Sequence, residues 1–152
     1  MDTDQLRKEL EIDEGVKIEN GQHVTYMCSA DRLTFGIGHL VLPDEPEYDQ
    51  PVGTPVSSDR VTECFDKDVG TVIAESQRLY PQFDNLPSEV QLIICNMLFN
   101  LGLPTLSKFK DMKAAIDDRL WDKAADAMAD SRWARQLPNR SGRLIERMRA
   151  VV

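Results

Sequence analysis

Four reactive side chains of different chemistry lie in one short run near the N-terminus: Glu14, Cys28, Thr34 and His39. A carboxyl kept protonated by burial can deliver a proton to the leaving oxygen of a glycoside, which is the task of a general acid. On position alone Glu14 reads as a solvated glutamate at a helix end, and its neighbours give the chemical reading its weight. A threonine hydroxyl can position a water, and a thiol can accept a hydrogen bond weakly or, once ionised, attack. His39 follows Gly36-Ile37-Gly38, whose glycines let backbone approach another element or a ligand closely. The histidine reads as a packed group paired with a carboxylate, and Asp68 is the expected partner.

Further candidates lie downstream. Asn96, Phe99 and Asn100 fall in a run that is apolar nearly all round. Asparagines buried there need partners, so one is expected to hold another segment and one to face a cleft. Trp121 and Trp133 read as core residues that could also stack on sugars. Arg140, Arg143 and Arg147 recur at i, i+3 and i+7, giving either a solvated basic face or an anion site. No spacing among His23, Cys28 and His39 supports a metal centre.

These residues must be positioned by elements that the pattern makes legible. A helix over residues 4–14 is expected, capped by Thr3, with Leu6, Leu10 and Ile12 as its apolar stripe. Gly15 supplies the left-handed stop. Residues 16–19, 22–28 and 33–37 read as three short antiparallel strands, the first turn being Asn20-Gly21. Four prolines and four acidic residues make 42–55 a surface loop. A long helix follows from Ser57 or Ser58 to about residue 80, its apolar positions at helical spacing. It is expected to join an N-terminal lobe to a helical remainder. A buried helix from about 86 to 101 is stopped by Gly102 and Pro104, and helices are expected over 106–116, 120–130, 132–135 and from 139 to the end.

Length and composition bound the function. At 152 residues the chain suits one domain of about 1–152, with lobes near 13–57 and 81–152, a joining helix at 58–80, and residues 1–12 packed on the second lobe. No run approaches the roughly 20 apolar residues of a membrane span, and the acidic N-terminus is unlike a signal peptide. Three cysteines without a Cys-x-x-Cys pair argue against a disulfide framework and fit synthesis in a reducing compartment. A net charge of −8 disfavours nucleic acid and anionic membranes as partners.

Taken together, the sequence resembles the phage-type lysozymes, the muramidase family typified by the T-even phage enzyme. Glu14-Gly15 is similar to the family's helix-terminal glutamate, and Thr34-Phe35-Gly36-Ile37-Gly38-His39 to its Thr-x-Gly-x-Gly-His segment. Phe65-Asp66-Lys67-Asp68-Val69, Asn96 to Gly102, Ser131-Arg132-Trp133 and Pro138-Asn139-Arg140 continue the resemblance in order. It implies an α+β, mainly helical, two-lobed fold with a small three-stranded antiparallel sheet. It implies hydrolysis of the β-1,4 bond between N-acetylmuramic acid and N-acetylglucosamine in peptidoglycan, by a monomer that needs no cofactor or metal. Glu14, Cys28 and Thr34 would be catalytic; His39, Leu40, Phe99, Asn100 and Arg140 would bind substrate, with His39 and Asp68 as a structural pair. The chain departs from the pattern at Cys28, where the family usually has aspartate; Asp31 in the next turn is the other carboxylate at hand. Peptidoglycan is anionic, so an acidic chain is expected to work in salty surroundings or to be delivered by a partner.

Overall fold

The computed structural model describes all residues, Met1–Val152. Two compact units divide the chain: residues 7–71, and residues 72–152 with 1–6. Helix α1 (Thr3–Glu14) begins one residue earlier than expected, because the cap is Asp2 and not Thr3. The Asp2 carboxylate accepts from the Gln5 amide at 3.0 Å. Leu6 and Leu10 are fully buried, whereas Ile12 is 77% exposed. Two positions beyond Leu10 is a 200° turn of the helix, which takes Ile12 off the stripe.

In residues 7–71 the strands are six and very short: β1 (Ile18–Glu19), β2 (Gln22–Val24), β3 (Tyr26–Met27), β4 (Leu33–Phe35), β5 (His39–Leu40) and β6 (Pro55–Val56). They form two three-stranded antiparallel sheets, β1-β2-β6 and β3-β4-β5, rather than the single sheet expected. Thr25 is the reason. Its side chain accepts from the Gly53 and Thr54 amides, both at 3.1 Å, and donates to the Pro51 carbonyl at 3.3 Å. The expected strand over 22–28 therefore bends at Thr25 and passes from one sheet to the other. The hairpin at Asn20-Gly21 pairs Glu19 with Gln22. The loop expected over 42–55 instead contains a 3-10 turn at Pro46–Asp49 and ends in β6. A small core of Phe35, Val41, Val56, Val61 and Cys64, with Leu33 against it, holds the sheet side together.

Helix α2 (Ser58–Leu79) is capped by Ser57, whose hydroxyl accepts from the Arg60 amide at 3.1 Å. Arg7 of α1 pairs with Asp66 of α2 and lies over the Phe65 ring, 5.0 Å from its centroid. In the other unit α3 (Ser88–Leu101) is buried without a break from Val90 to Leu98. Gly102 stops α3, but Pro104 then starts a short helix, α4 (Leu103–Leu106), so the helix expected over 106–116 is shorter, α5 (Lys110–Asp117). Proline suits a first turn because it lacks only an amide hydrogen that the turn leaves unused. Helices α6 (Trp121–Ala129), α7 (Arg132–Gln136) and α8 (Pro138–Arg149) complete the unit. No helix is long and apolar enough to cross a membrane.

Candidate active site

Glu14 is the last residue of α1 and is half-buried. Its carboxylate lies flat on the backbone of Gly38: a Cβ at Gly38 would stand 3.0 Å from Glu14 Oε2 and 3.1 Å from Cδ and Cγ. Gly38 also has φ of +65°, a conformation a side chain makes costly, so two separate constraints demand glycine there. The turn between β4 and β5 thereby brings the backbone against Glu14.

Register places the other groups. Tyr26 pairs with Thr34 across β3 and β4, and Cys28 closes the following turn by donating its amide to the Arg32 carbonyl at 3.0 Å. Thr34 is buried, and its hydroxyl donates to the same carbonyl at 3.0 Å. Cys28 is half-exposed. Partial burial opposes ionisation of its thiol, but hydrogen bonds from the Arg32 and Ala30 amides and the Thr34 hydroxyl outweigh it, lowering the pKa from its ordinary 9.0. Thr34 has one hydroxyl proton, which can go to the Arg32 carbonyl or to the Cys28 sulfur but not to both at once. Burial raises the Tyr26 pKa, and the nearby charges of Glu14 and Cys28 add to the effect, which puts one phenol in the field of both groups. Asp31 sits exposed in the turn at φ +56°.

His39 is buried between two carboxylates. Its Nδ1 is 2.7 Å from Asp68 Oδ2, and its Nε2 is 2.9 Å from both oxygens of Glu45. Burial alone would lower the histidine pKa; hydrogen bonding to Asp68 and Glu45 and their charges reverse this and raise it. Glu45 is held further by the Leu42 amide at 2.8 Å and by Arg60 at 2.8 Å. Arg60 also forks onto Glu47, with Nη2 2.9 Å from Oε1 and Nε 3.2 Å from Oε2. The Phe35 ring lies 4.8 Å from the His39 ring and 5.7 Å from the Arg60 guanidinium.

The remaining sequence candidates lie in the helical unit, except Leu40, which is 43% exposed on β5. Asn96 is fully buried and accepts from Arg140 Nε at 3.0 Å, its own carbonyl taking Nη2 at 3.3 Å. Asn100 accepts from the Trp133 indole at 2.8 Å, and Phe99 is half-buried. Arg140, Arg143 and Arg147 do not form one solvated basic face: Arg140 is buried on Asn96, Arg147 pairs with Glu89, and Arg143 is exposed. At 100° per residue the three fall within about 60° of one another, so the face is shared and what differs is the neighbour each one meets.

Sequence reasoning missed Tyr26, Glu45, Glu47, Arg60 and Cys64. The acidic loop reads as solvated charge, yet two of its carboxylates fold back onto Arg60. One signal was available: an arginine in the first turn of α2 opposes the helix dipole and calls for carboxylates to hold it.

No family model matches the chain. Among curated proteins it is 30% identical to "Probable T4-type lysozyme 2" of Dictyostelium discoideum, over 92% of this chain and 91% of that one. It is 28% identical to "Probable T4-type lysozyme 1" of the same organism, over the same shares. A third match, at 25% over 89% of this chain, covers 26% of the pre-baseplate central spike protein Gp5 of Enterobacteria phage T4. The first two alignments run nearly end to end on both sides and span the segments that carry Glu14, the Gly36–Gly38 turn and His39, so by that shared length and sequence the chain belongs to the T4-type lysozyme family.

Proposed function

We propose that the protein is a muramidase that hydrolyses the β-1,4 bond between N-acetylmuramic acid and N-acetylglucosamine in peptidoglycan. The observation that carries this reading is the Glu14 carboxylate resting on the Gly38 backbone in the unit that also holds Cys28 and Thr34. Glu14 gives its proton to the glycosidic oxygen as the bond to the sugar C1 breaks. A water held by Cys28 and Thr34 attacks C1 from the opposite face and passes its proton to the Cys28 thiolate, which inverts the anomeric centre. Cys28 fits this role better than Asp31, because its thiol is stabilised as the anion beside Thr34 of β4, whereas Asp31 faces solvent.

Among the other candidates, Leu40 and Phe99 offer exposed or half-exposed apolar surface for sugar faces. His39, Asn100 and Arg140 are tied to protein partners and act as positioning residues. The whole chain is read as one lysozyme-like domain, acting as a monomer on the wall after release from the cell that makes it.

The test is clearing of purified sacculi with analysis of the products. Glu14→Gln should lose about 10²–10⁴-fold in rate with its unfolding midpoint unchanged, since an amide cannot donate that proton. Wild-type clearing should yield new reducing ends; a 1,6-anhydro product would identify a lytic transglycosylase instead. A second reading, a glycan-binding module without activity, is favoured by the loss of a carboxylate at Cys28, and equal, negligible clearing by both proteins would establish it. The wild-type rate should rise with pH as the thiol ionises below 9.0. Cys28→Asp should stay active without that limb, and Cys28→Ala should be slower. A pH profile identical in all three proteins removes Cys28 from the mechanism.

A further inference from the structure

Behind the turn that supports Glu14, three groups of different chemistry converge. A ring nitrogen of His39, a Glu45 carboxylate oxygen and Cys64 Sγ all lie within 4.8 Å of one another. His39 and Cys64 are buried, while the Glu45 side chain keeps 15% of its surface exposed and leaves a way in from solvent. We propose that these three side chains bind a divalent metal ion of the zinc class, with water as the fourth ligand.

The carboxylates account for the histidine, and Cys64, at the edge of the small apolar core, adds a third kind of donor beside them. Imidazole, carboxylate and thiolate are the mixed donor set that zinc takes in tetrahedral sites. Asp68 holds Nδ1 at 2.7 Å, so Nδ1–H donates to a carboxylate and Nε2, 2.9 Å from Glu45, is the nitrogen left to ligate. Such a carboxylate behind a ligating histidine fixes the ring and raises its basicity. Glu45 is also steadied: Oε1 accepts from the Leu42 amide and Oε2 from Arg60, which leaves a second lone pair on each oxygen.

Binding needs His39 neutral and Cys64 as thiolate, so an ion that binds releases their protons to solvent. Bond lengths of about 2.0–2.3 Å at tetrahedral angles place donor atoms roughly 3.3–3.8 Å apart. The histidine–glutamate contact must therefore widen slightly and the sulfur move inward, adjustments that rotation of the Glu45 and Cys64 side chains supplies. The ion would join β5, the 42–50 loop and α2 at one point in a unit whose apolar core is small.

The site can be tested without reference to activity. Cobalt(II) added to the purified full-length protein should give a thiolate-to-metal charge-transfer band that saturates at one equivalent and is displaced by zinc. Cys64→Ala should abolish the band, Glu45→Gln should weaken binding at least tenfold, and Cys28→Ala and Glu14→Gln should leave it intact. Zinc should raise the thermal midpoint of wild type and Cys28→Ala but not of Cys64→Ala. If Cys64→Ala does not fold, the same comparison is made with Glu45→Gln. Absence of a band in wild type, a band that follows Cys28, or a zinc shift that survives in Cys64→Ala or is undiminished in Glu45→Gln would each overturn the proposal. Failure of the muramidase reading shows separately, in clearing by Glu14→Gln, because that variant keeps the metal ligands.

Discussion

In the helical unit, α3 is buried along nine consecutive residues, and its polar exceptions are tied to protein partners: Gln91 to the Phe83 carbonyl, Asn96 to Arg140. In residues 7–71 no strand exceeds three residues and the apolar core is small, while side-chain hydrogen bonds are dense around Thr25, His39, Glu45 and Arg60. One unit is held mainly by the removal of apolar surface from water, the other to a larger extent by directional bonds that close its loops. The difference teaches where precision is placed. The Glu14–Gly38 contact sits in the unit where hydrogen bonds dictate geometry, and such bonds fix a position more sharply than apolar contact does.

Substitutions can break this contrast. The largest effect on stability is expected from Ile93→Ala in the fully buried middle of α3, a loss of about 2–5 kcal/mol from lost transfer energy and the cavity left behind. Denaturant titrations at low and high salt should give the same loss, because no charge is involved. Arg60→Ala should cost about 1–3 kcal/mol at low salt, since Glu45 and Glu47 lose their shared partner while still shielded from water. Unlike the isoleucine change, this loss should shrink as salt screens the partly exposed charges. Equal salt dependence of the two variants would erase the distinction between the units. Gly38→Ala sharpens the comparison at the smallest scale. A left-handed alanine costs about 1–2 kcal/mol, and its methyl group would press on the Glu14 carboxylate. Clearing activity should therefore fall by much more than the loss of folded protein explains. A variant as active as wild type would show that the contact does not position the acid.

Much of the fold was legible because helices and tight turns are local. The α1 stop at Gly15, the Asn20-Gly21 hairpin, the course of α2 and the burial of α3 follow from periodicity and from residues a few positions apart. Errors arose where a neighbour competed or a distant segment intervened. Asp2 took the cap from Thr3, Ile12 lay off the buried face, and Thr25 split a strand by bonding to residues 51–54. The candidate site shows the same divide. Glu14, Thr34 and His39 stood out by type and company, but that Gly38 would support the carboxylate of Glu14 depended on how a turn meets a helix end more than twenty residues away.

By itself, then, the amino-acid order determined the helices, the hairpin and the set of residues able to move a proton, since these depend on near neighbours and on side-chain chemistry. Only the tertiary structure decided that Arg140 is buried rather than displayed. It alone gathered Glu45, Arg60 and Cys64 around His39. Such meetings join segments far apart in the chain, and no local pattern records which distant partner a buried polar group will find.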